Sequence, residues 1–387
     1  MGVSIVATGS ISAAGLGRKS LLLSLISQQI HSIEREFNGK KYPVFAISKD
    51  SHEIVNGICS QSKDLHRLDN NVKYAIAATS IMMKEAQKLP KGPGLVNIAS
   101  SKENTGIFEQ THRNFIREGK CTLLTSPLTT PGSISSEVSS YLSLTQNAII
   151  DSSQTCSSST QAILNAIAWL EAGMVDWAIV GGTEAPLTPY TLAQVEALGI
   201  YTPLNDEKFP CKPFGNNTQN TFALGEGSAI FLLMRTEDCK NPLATISSWG
   251  VSFMHPPSKT GINEDGGPLI HSMQSAIDKA NLIPDFILAH APGTLKGDRA
   301  ELNAVIHVFG EKYPPLLSSK YLTGHTYGAS SALNAELAIA LFNENFLHIL
   351  PYDSYVPNAK IANPANILIN ATGFGGSAAS LIVSKPT

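Results

Sequence analysis

Three residues far apart in the chain sit where a strand reads into a loop or helix, and their side chains can do nucleophilic and hydrogen-bonding chemistry: Cys156, His290 and His325. Cys156 lies between a short strand at residues 147–151 and a small-residue helix start at Ser157, Ser158 and Ser159. A sharp turn there presents the sulfur at a helix N-terminus. The free N–H groups and positive dipole end of that terminus stabilise a thiolate and can bind an oxyanion. A free cysteine also reads as a small buried apolar residue. Cys59, Cys121, Cys211 and Cys239 lack this strand-to-helix setting and take that reading.

His290 opens the run HAPGT and follows a strand at residues 285–289. Active sites of α/β proteins collect at such carboxyl ends of parallel strands. Eleven residues on, Glu301 closes a charged helical run, 296–301, which by itself reads as a solvated helix face. His325 lies in a loop that starts at Ser318, contains Lys320, and leads into a helix at residues 332–342. Gly324, Gly328 and Ala329 let that helix start approach other backbone closely. The run GFGGS at 373–377 contains Phe374, Gly375 and Gly376 and runs into a strand. It therefore reads as a tight hairpin and not as a phosphate loop. One cysteine and two histidines at three such junctions make a constellation.

The elements around these residues order themselves. Strand patterns stand at residues 3–8 and 176–182, and a glycine-bearing turn at 9–17. Helical patterns stand at 20–29 and 71–89. The Ser-, Thr- and Pro-rich stretch 126–145 reads as a surface loop with a helix through Val138, Tyr141 and Leu142. Strand, helix, strand in succession implies a parallel sheet. A glycine turn feeding an apolar strand occurs at 222–235 and again at 373–384. The chain thus reads as two similar α/β halves, residues 1–240 with the nucleophile and 241–387 with both histidines.

Composition narrows the class. Charged residues are 15% of 387, against about 25% in ordinary soluble domains. So few charges fit a compact body or one that hides surface in an oligomer. The net charge of -3 argues against wrapping nucleic acid. Five scattered cysteines without a CxxC pair argue against a zinc site or a disulfide framework. The start lacks a signal-peptide pattern, and no apolar run reaches the length of a membrane helix. The expectation is a cytoplasmic protein of a reducing compartment, without membrane insertion.

In this order, TCSSS around Cys156, GGTEA at 181–185, LGEGSAIFLL at 224–233, HAPGT, KYLTGHTYGAS at 320–330 and GFGGS resemble the β-ketoacyl synthases of the thiolase-like superfamily. The resemblance spans essentially the whole chain. It implies a five-layered αβαβα fold, normally a homodimer, and a Cys-His-His site needing no cofactor or metal. Substrates arrive on the phosphopantetheine arm of acyl carrier protein. Cys156 takes the acyl group as a thioester. His290 and His325 donate hydrogen bonds that stabilise the enolate formed when malonyl carrier protein loses carbon dioxide. The N–H groups of Cys156 and Phe374 form the oxyanion hole, and Phe374 gates access. Lys320 and Glu301 form an ion pair that keeps His325 neutral and aimed. Thr294, Gly375 and Gly376 contact the substrate arm. Lys63, His66 and Arg67 match a carrier-docking region.

Two departures stand out. Pro292 occupies the place of the first threonine of the family's usual HGTxT, which removes one pantetheine hydrogen bond. Gly215 stands where an acidic residue is usual. Both suit a divergent member acting in fatty-acid synthesis or in specialised polyene or polyketide assembly. The alternative is a non-catalytic chain-length-factor-like subunit pairing with an active synthase, which usually lacks the cysteine. A degradative thiolase would need a second cysteine near the C-terminus, and an initiating synthase an asparagine where His325 stands.

Overall fold

The computed structural model describes residues 2–203, 208–258 and 261–386. Ten strands carry the architecture: β1 (Val3–Ser12), β2 (Gly94–Ala99), β3 (Asn147–Ser152), β4 (Trp177–Glu184), β5 (Gly227–Arg235), β6 (Ala244–Phe253), β7 (Phe286–Leu288), β8 (Leu316–Leu317), β9 (Asn366–Gly373) and β10 (Ser377–Ser384). They hydrogen-bond in the order β3-β2-β4-β5-β1-β6-β10-β9-β7-β8.

That path is one motif used twice. Within β1–β5 the spatial order is third, second, fourth, fifth, first, and within β6–β10 it is the same. Directions repeat too. The second strand runs parallel to the third and fourth, and the fifth runs antiparallel to the fourth and first. The two sets join where Val3, Ser4 and Ile5 pair with Ile246, Thr245 and Ala244.

Side-chain alternation along the strands sorts the layers, because successive residues point to opposite faces. Phe231 and Leu233 of β5, Leu288 of β7, Ile369 of β9 and Leu381 of β10 share one buried cluster with α3 (Ser158–Glu171) and α6 (Ser330–Leu341). Their neighbours point the other way. Ile230 and Leu232 pack on α1 (Asn70–Ala86) and α2 (Ser133–Tyr141). Ile287, Leu368 and Ile382 pack on α4 (Gly267–Ala280) and α5 (Leu295–Phe309). The result is helix, sheet, helix, sheet, helix: the expected five layers. Every residue of α6 except Ala340 is buried, as a helix between two sheets requires.

Two local expectations change. The turn expected at 9–17 begins later, because β1 continues to Ser12. Gly9 lies inside the strand, where a Cβ would stand 2.1 Å from the Ala78 carbonyl of α1. It is a contact glycine and not a turn glycine. The charged run 296–301 is no solvated face, since Asp298 and Glu301 are buried at 3% and 1% exposure. Within 126–145 the structure places helix α2, as the spacing of Val138 and Tyr141 predicts. The 373–377 segment is the hairpin joining β9 and β10, with Gly373 opposite Ser377. Among the described residues no helix is long and apolar enough to cross a membrane.

Candidate active site

Cys156 follows β3 and precedes α3. The turn that aims it is tight: Thr155 holds a left-handed backbone at φ +50, unfavourable for a β-branched residue. The surrounding serines hold it there. Gln154 N–H donates to Ser158 Oγ at 2.8 Å, and Ser157 N–H donates to the Gln154 carbonyl at 3.2 Å. Their small size also lets α3 meet α6, where Ser159 and Ser331 hydroxyls lie 2.7 Å apart.

His290 leaves the end of β7, and His325 leaves the loop after β8, so both reach the same edge of the second strand set. The Cys156 sulfur and a ring nitrogen of each histidine all lie within 4.8 Å of one another. All three residues are buried, at 5%, 5% and 1% exposure. The two imidazoles meet edge-to-face, centroids 5.4 Å apart at 78°.

Tyr327 N–H donates to His325 Nδ1 at 3.0 Å. That bond puts the ring proton on Nε2, so His325 offers an N–H donor. Burial and the nearby Lys320 charge hold both imidazoles well below the usual histidine range, and both are neutral. The three donor atoms are close enough together to suggest a metal site. A metal ion, however, needs the Nε2 lone pair that this tautomer lacks, so the arrangement suits hydrogen-bond donation. Burial pushes the Cys156 thiol up to about 12, against the opposing pull of Lys320. The expected resting thiolate is therefore corrected: burial favours the thiol.

The expected ion pair is also corrected. Glu301, from α5, accepts from the backbone N–H groups of His290 at 2.9 Å and Ala291 at 2.6 Å, and from Asn370 Nδ2 at 3.0 Å. Lys320 donates instead to the His290 carbonyl. The two side chains grip opposite sides of one peptide segment and so fix where His290 starts. Three N–H bonds occupy the Glu301 oxygens without a direct ammonium contact, although burial still raises this carboxyl, and the lysine is free for the carbonyl.

Thr294 caps α5: its Oγ1 accepts from Gly297 N–H at 3.2 Å. Asp298 holds the same turn, accepting from Gly293 and Thr294 N–H at 3.0 and 3.2 Å and from Phe214 N–H at 2.8 Å. The 373–376 turn packs on the cysteine turn, since a Cβ on Gly373 would lie 1.8 Å from Thr155 Oγ1. The backbone N–H group of Phe374 has no acceptor among the described residues. A cavity of about 700 Å³ reaches all of this, lined by Cys156, His290, His325, Thr294, Phe374 and Gly376 among others. Gly375 does not line it. Phe374 is 40% exposed at its wall. Lys63, His66 and Arg67 stand apart from the cavity, exposed on and just after a four-residue helix, Lys63–His66.

Four positioning groups escaped the sequence reading: Asn370, Asp298, Glu184 and Asn334. Glu184 ends β4 and accepts from Gly328 N–H at 3.1 Å, holding the turn after His325. Asn334 Nδ2 donates to the Ala289 carbonyl beside His290 at 3.3 Å. For Asn370, Glu184 and Asn334 the signal was a polar residue inside an otherwise apolar run: NILIN, GGTEA and the α6 sequence.

A doubled strand motif around two central helices, with a cysteine and two histidines converging at its edge, is the architecture of the thiolase-like condensing enzymes. Residues 26–239 match the β-ketoacyl synthase N-terminal domain, and residues 243–350 match the β-ketoacyl synthase C-terminal domain. The chain belongs to the β-ketoacyl synthase family. A 3-oxoacyl-[acyl-carrier-protein] synthase 2 of Staphylococcus aureus (strain COL) is 27% identical over 354 residues, 84% of this chain and 83% of that protein. The granaticin polyketide putative β-ketoacyl synthase 1 of Streptomyces violaceoruber is 27% identical over 250 residues, 60% of this chain and 59% of that one. Among solved structures, the ishigamide ketosynthase/chain length factor superimposes with a TM-score of 0.88 at 20% identity, covering 100% of this chain and 99% of that one.

Proposed function

We propose that this chain catalyses decarboxylative condensation of an acyl group on Cys156 with malonyl-acyl carrier protein. The observation that carries the reading is the convergence of the Cys156 sulfur and two neutral imidazoles within 4.8 Å in one accessible cavity. Cys156 Sγ attacks the thioester carbonyl of acyl carrier protein. The C–S bond to the carrier breaks, and the thiol proton leaves with the carrier's sulfur. The Cys156 and Phe374 N–H groups hold the transient oxyanion. Malonyl carrier protein then loses carbon dioxide. The electron pair passes into an enolate whose oxygen meets the N–H donors of His290 and His325. Such donors work because they are already aimed before the charge develops. The enolate carbon attacks the acyl carbonyl, a C–C bond forms, the bond to Cys156 breaks and its sulfur regains a proton. A neutral imidazole is the right donor, since it stabilises the enolate oxygen without protonating its carbon.

Glu301, Lys320, Asp298 and Asn370 act through the histidines and are positioning residues. Thr294 Oγ1 accepts within its own helix cap and donates its hydroxyl proton to the pantetheine arm, while Phe374 and Gly376 shape the gate. Lys63, His66 and Arg67 receive the acidic carrier by charge. The synthase acts as a dimer, of two copies or of one copy with a related ketosynthase-like chain. Exposed Phe108, Phe115 and Ile116 on the helix Thr105–Glu118 fit a surface covered in such an assembly. Retention of Cys156 favours the catalytic role over the chain-length-factor role. Cys156→Ala, assayed with acyl and malonyl carrier proteins, is expected to form no 3-oxoacyl product while keeping the wild-type unfolding transition. Wild-type product yield from the variant would refute the assignment.

A further inference from the structure

Beside the sulfur the cavity is lined by apolar side chains, Leu198, Ile200, Phe222 and Tyr327 among them. Cys156, Leu187, Leu192, Val195, Phe222 and Tyr327 belong to one buried cluster. At its Tyr327 wall stand polar groups that the condensation does not use. The Tyr327 hydroxyl has no hydrogen-bond partner among the described residues, although the residue is only 6% exposed. Next to it, the Lys102 ammonium lies 5.5 Å from the centroid of the Tyr327 ring. Lys102 donates to Gln194 Oε1 at 2.8 Å, a neutral acceptor on the helix Pro189–Ala197 that also supplies Leu192 and Val195. Among the described residues Lys102 forms no ion pair. An ammonium has three donors, so two remain for something else.

Such groups decide what fits. A saturated acyl tail lying along Tyr327 leaves a buried hydroxyl and a half-buried cation unmatched, which is costly. A tail with an acceptor oxygen satisfies both. We propose that Lys102 and the Tyr327 hydroxyl form a receptor for an acceptor oxygen at the Tyr327 wall of the cavity, so that the preferred acyl group on Cys156 carries a keto or carboxylate oxygen along its chain. This rests on the ketosynthase reading and narrows its substrate class. Few polar groups in a mostly apolar pocket is the usual way a site sets specificity. Discrimination of this kind far exceeds what a missing methylene gives.

The test uses the full-length protein and acyl carrier proteins loaded with three chains of equal length: saturated, keto-bearing and carboxylate-ended. The rate of acyl transfer to Cys156 is followed by intact mass. The wild type is expected to load at least one oxygenated chain about 10- to 100-fold faster than the saturated one, the factor for a hydrogen bond to a charged group. Faster keto loading assigns a neutral acceptor, and faster carboxylate loading assigns charge pairing. Lys102→Met is expected to bring the ratio close to one, Lys102→Arg to retain it, and Tyr327→Phe to reduce it. The ratio is the readout because the Lys102 charge also acts on the Cys156 sulfur, equally for every chain. Equal loading of all three chains by the wild type, or an unchanged ratio in Lys102→Met, overturns this inference alone. Loading from none of them overturns the ketosynthase reading together with it.

Discussion

In the proposed reaction Cys156 is the nucleophile, and burial favours its thiol form. Desolvation outweighs the Lys320 charge, so the small thiolate fraction must grow with each unit of pH over the whole accessible range. Alkylation of Cys156 by iodoacetamide is therefore expected to accelerate about tenfold per pH unit from about pH 7 to pH 10 without levelling off. A plateau near neutral pH would show a thiolate already formed and contradict the burial account. The sequence made Cys156, His290 and His325 legible because each stands at a strand end among small residues. It could not reveal the protonation states. Those follow from how completely the pocket excludes water and from one backbone bond, Tyr327 N–H to His325 Nδ1. The same holds for Lys320 and Glu301. Their membership of the site is what the family resemblance implies, but not that they bind opposite sides of the His290 segment.

The elements deliver these residues by close packing of backbone. The hairpin turn after β9 presses on the cysteine turn, and Gly373 is glycine because a side chain would enter Thr155 Oγ1. Gly373→Ala is expected to push the Thr155–Cys156 turn aside, lowering the rate of Cys156 acylation at least tenfold while the unfolding midpoint changes little. Acylation at the wild-type rate would show that the two turns are independent. Continuous apolar runs after a glycine turn made β5 and β10 legible, because both of their faces are buried, each against a different layer. β1 was read short, since Gly9 looks like punctuation in a sequence and its real role, the approach of α1, is a tertiary contact. The charged run opening α5 was misread for a related reason. Asp298 and Glu301 bind backbone N–H groups of the loop just before the helix, joined by Phe214 and Asn370 from far along the chain, and a run of charges does not display such partners.

At the scale of the whole molecule, the fold buries several carboxyl groups that form no ion pair of their own among the described residues. Burial raises Glu184 to about 8, Asp298 to about 7 and Glu336 to about 7. These groups stay protonated in the folded chain but ionise near pH 4 in the unfolded chain. Each one's contribution is complete at low pH and is lost as pH rises through its folded value. His290 and His325 work the other way: neutral in the fold, they cost stability as pH falls below about 6.5, where the unfolded histidines take up protons. Glu336, on α6, separates the two effects, because Ser10 Oγ can donate to a glutamine oxygen as it does to Glu336 Oε1. Across about pH 5 to pH 7 the wild type is expected to lose stability relative to Glu336→Gln, measured by denaturant unfolding. Parallel curves would place the Glu336 carboxyl at an ordinary value. The repeat of the strand motif was legible as two glycine turns feeding apolar strands. The joining of both sets into one sheet was not, because it rests on a pairing of Val3, Ser4 and Ile5 across the molecule.

The most direct measurement is intact mass of the wild type and Cys156→Ala, first with acyl carrier protein and then after malonyl carrier protein is added. The wild type should gain one acyl group on Cys156, lose it on the second addition, and release one carbon dioxide per 3-oxoacyl product. Cys156→Ala should gain nothing. An acyl group that persists on the wild type after malonyl carrier protein, or an equal adduct on the variant, would contradict a condensation run by this cysteine and its two imidazoles.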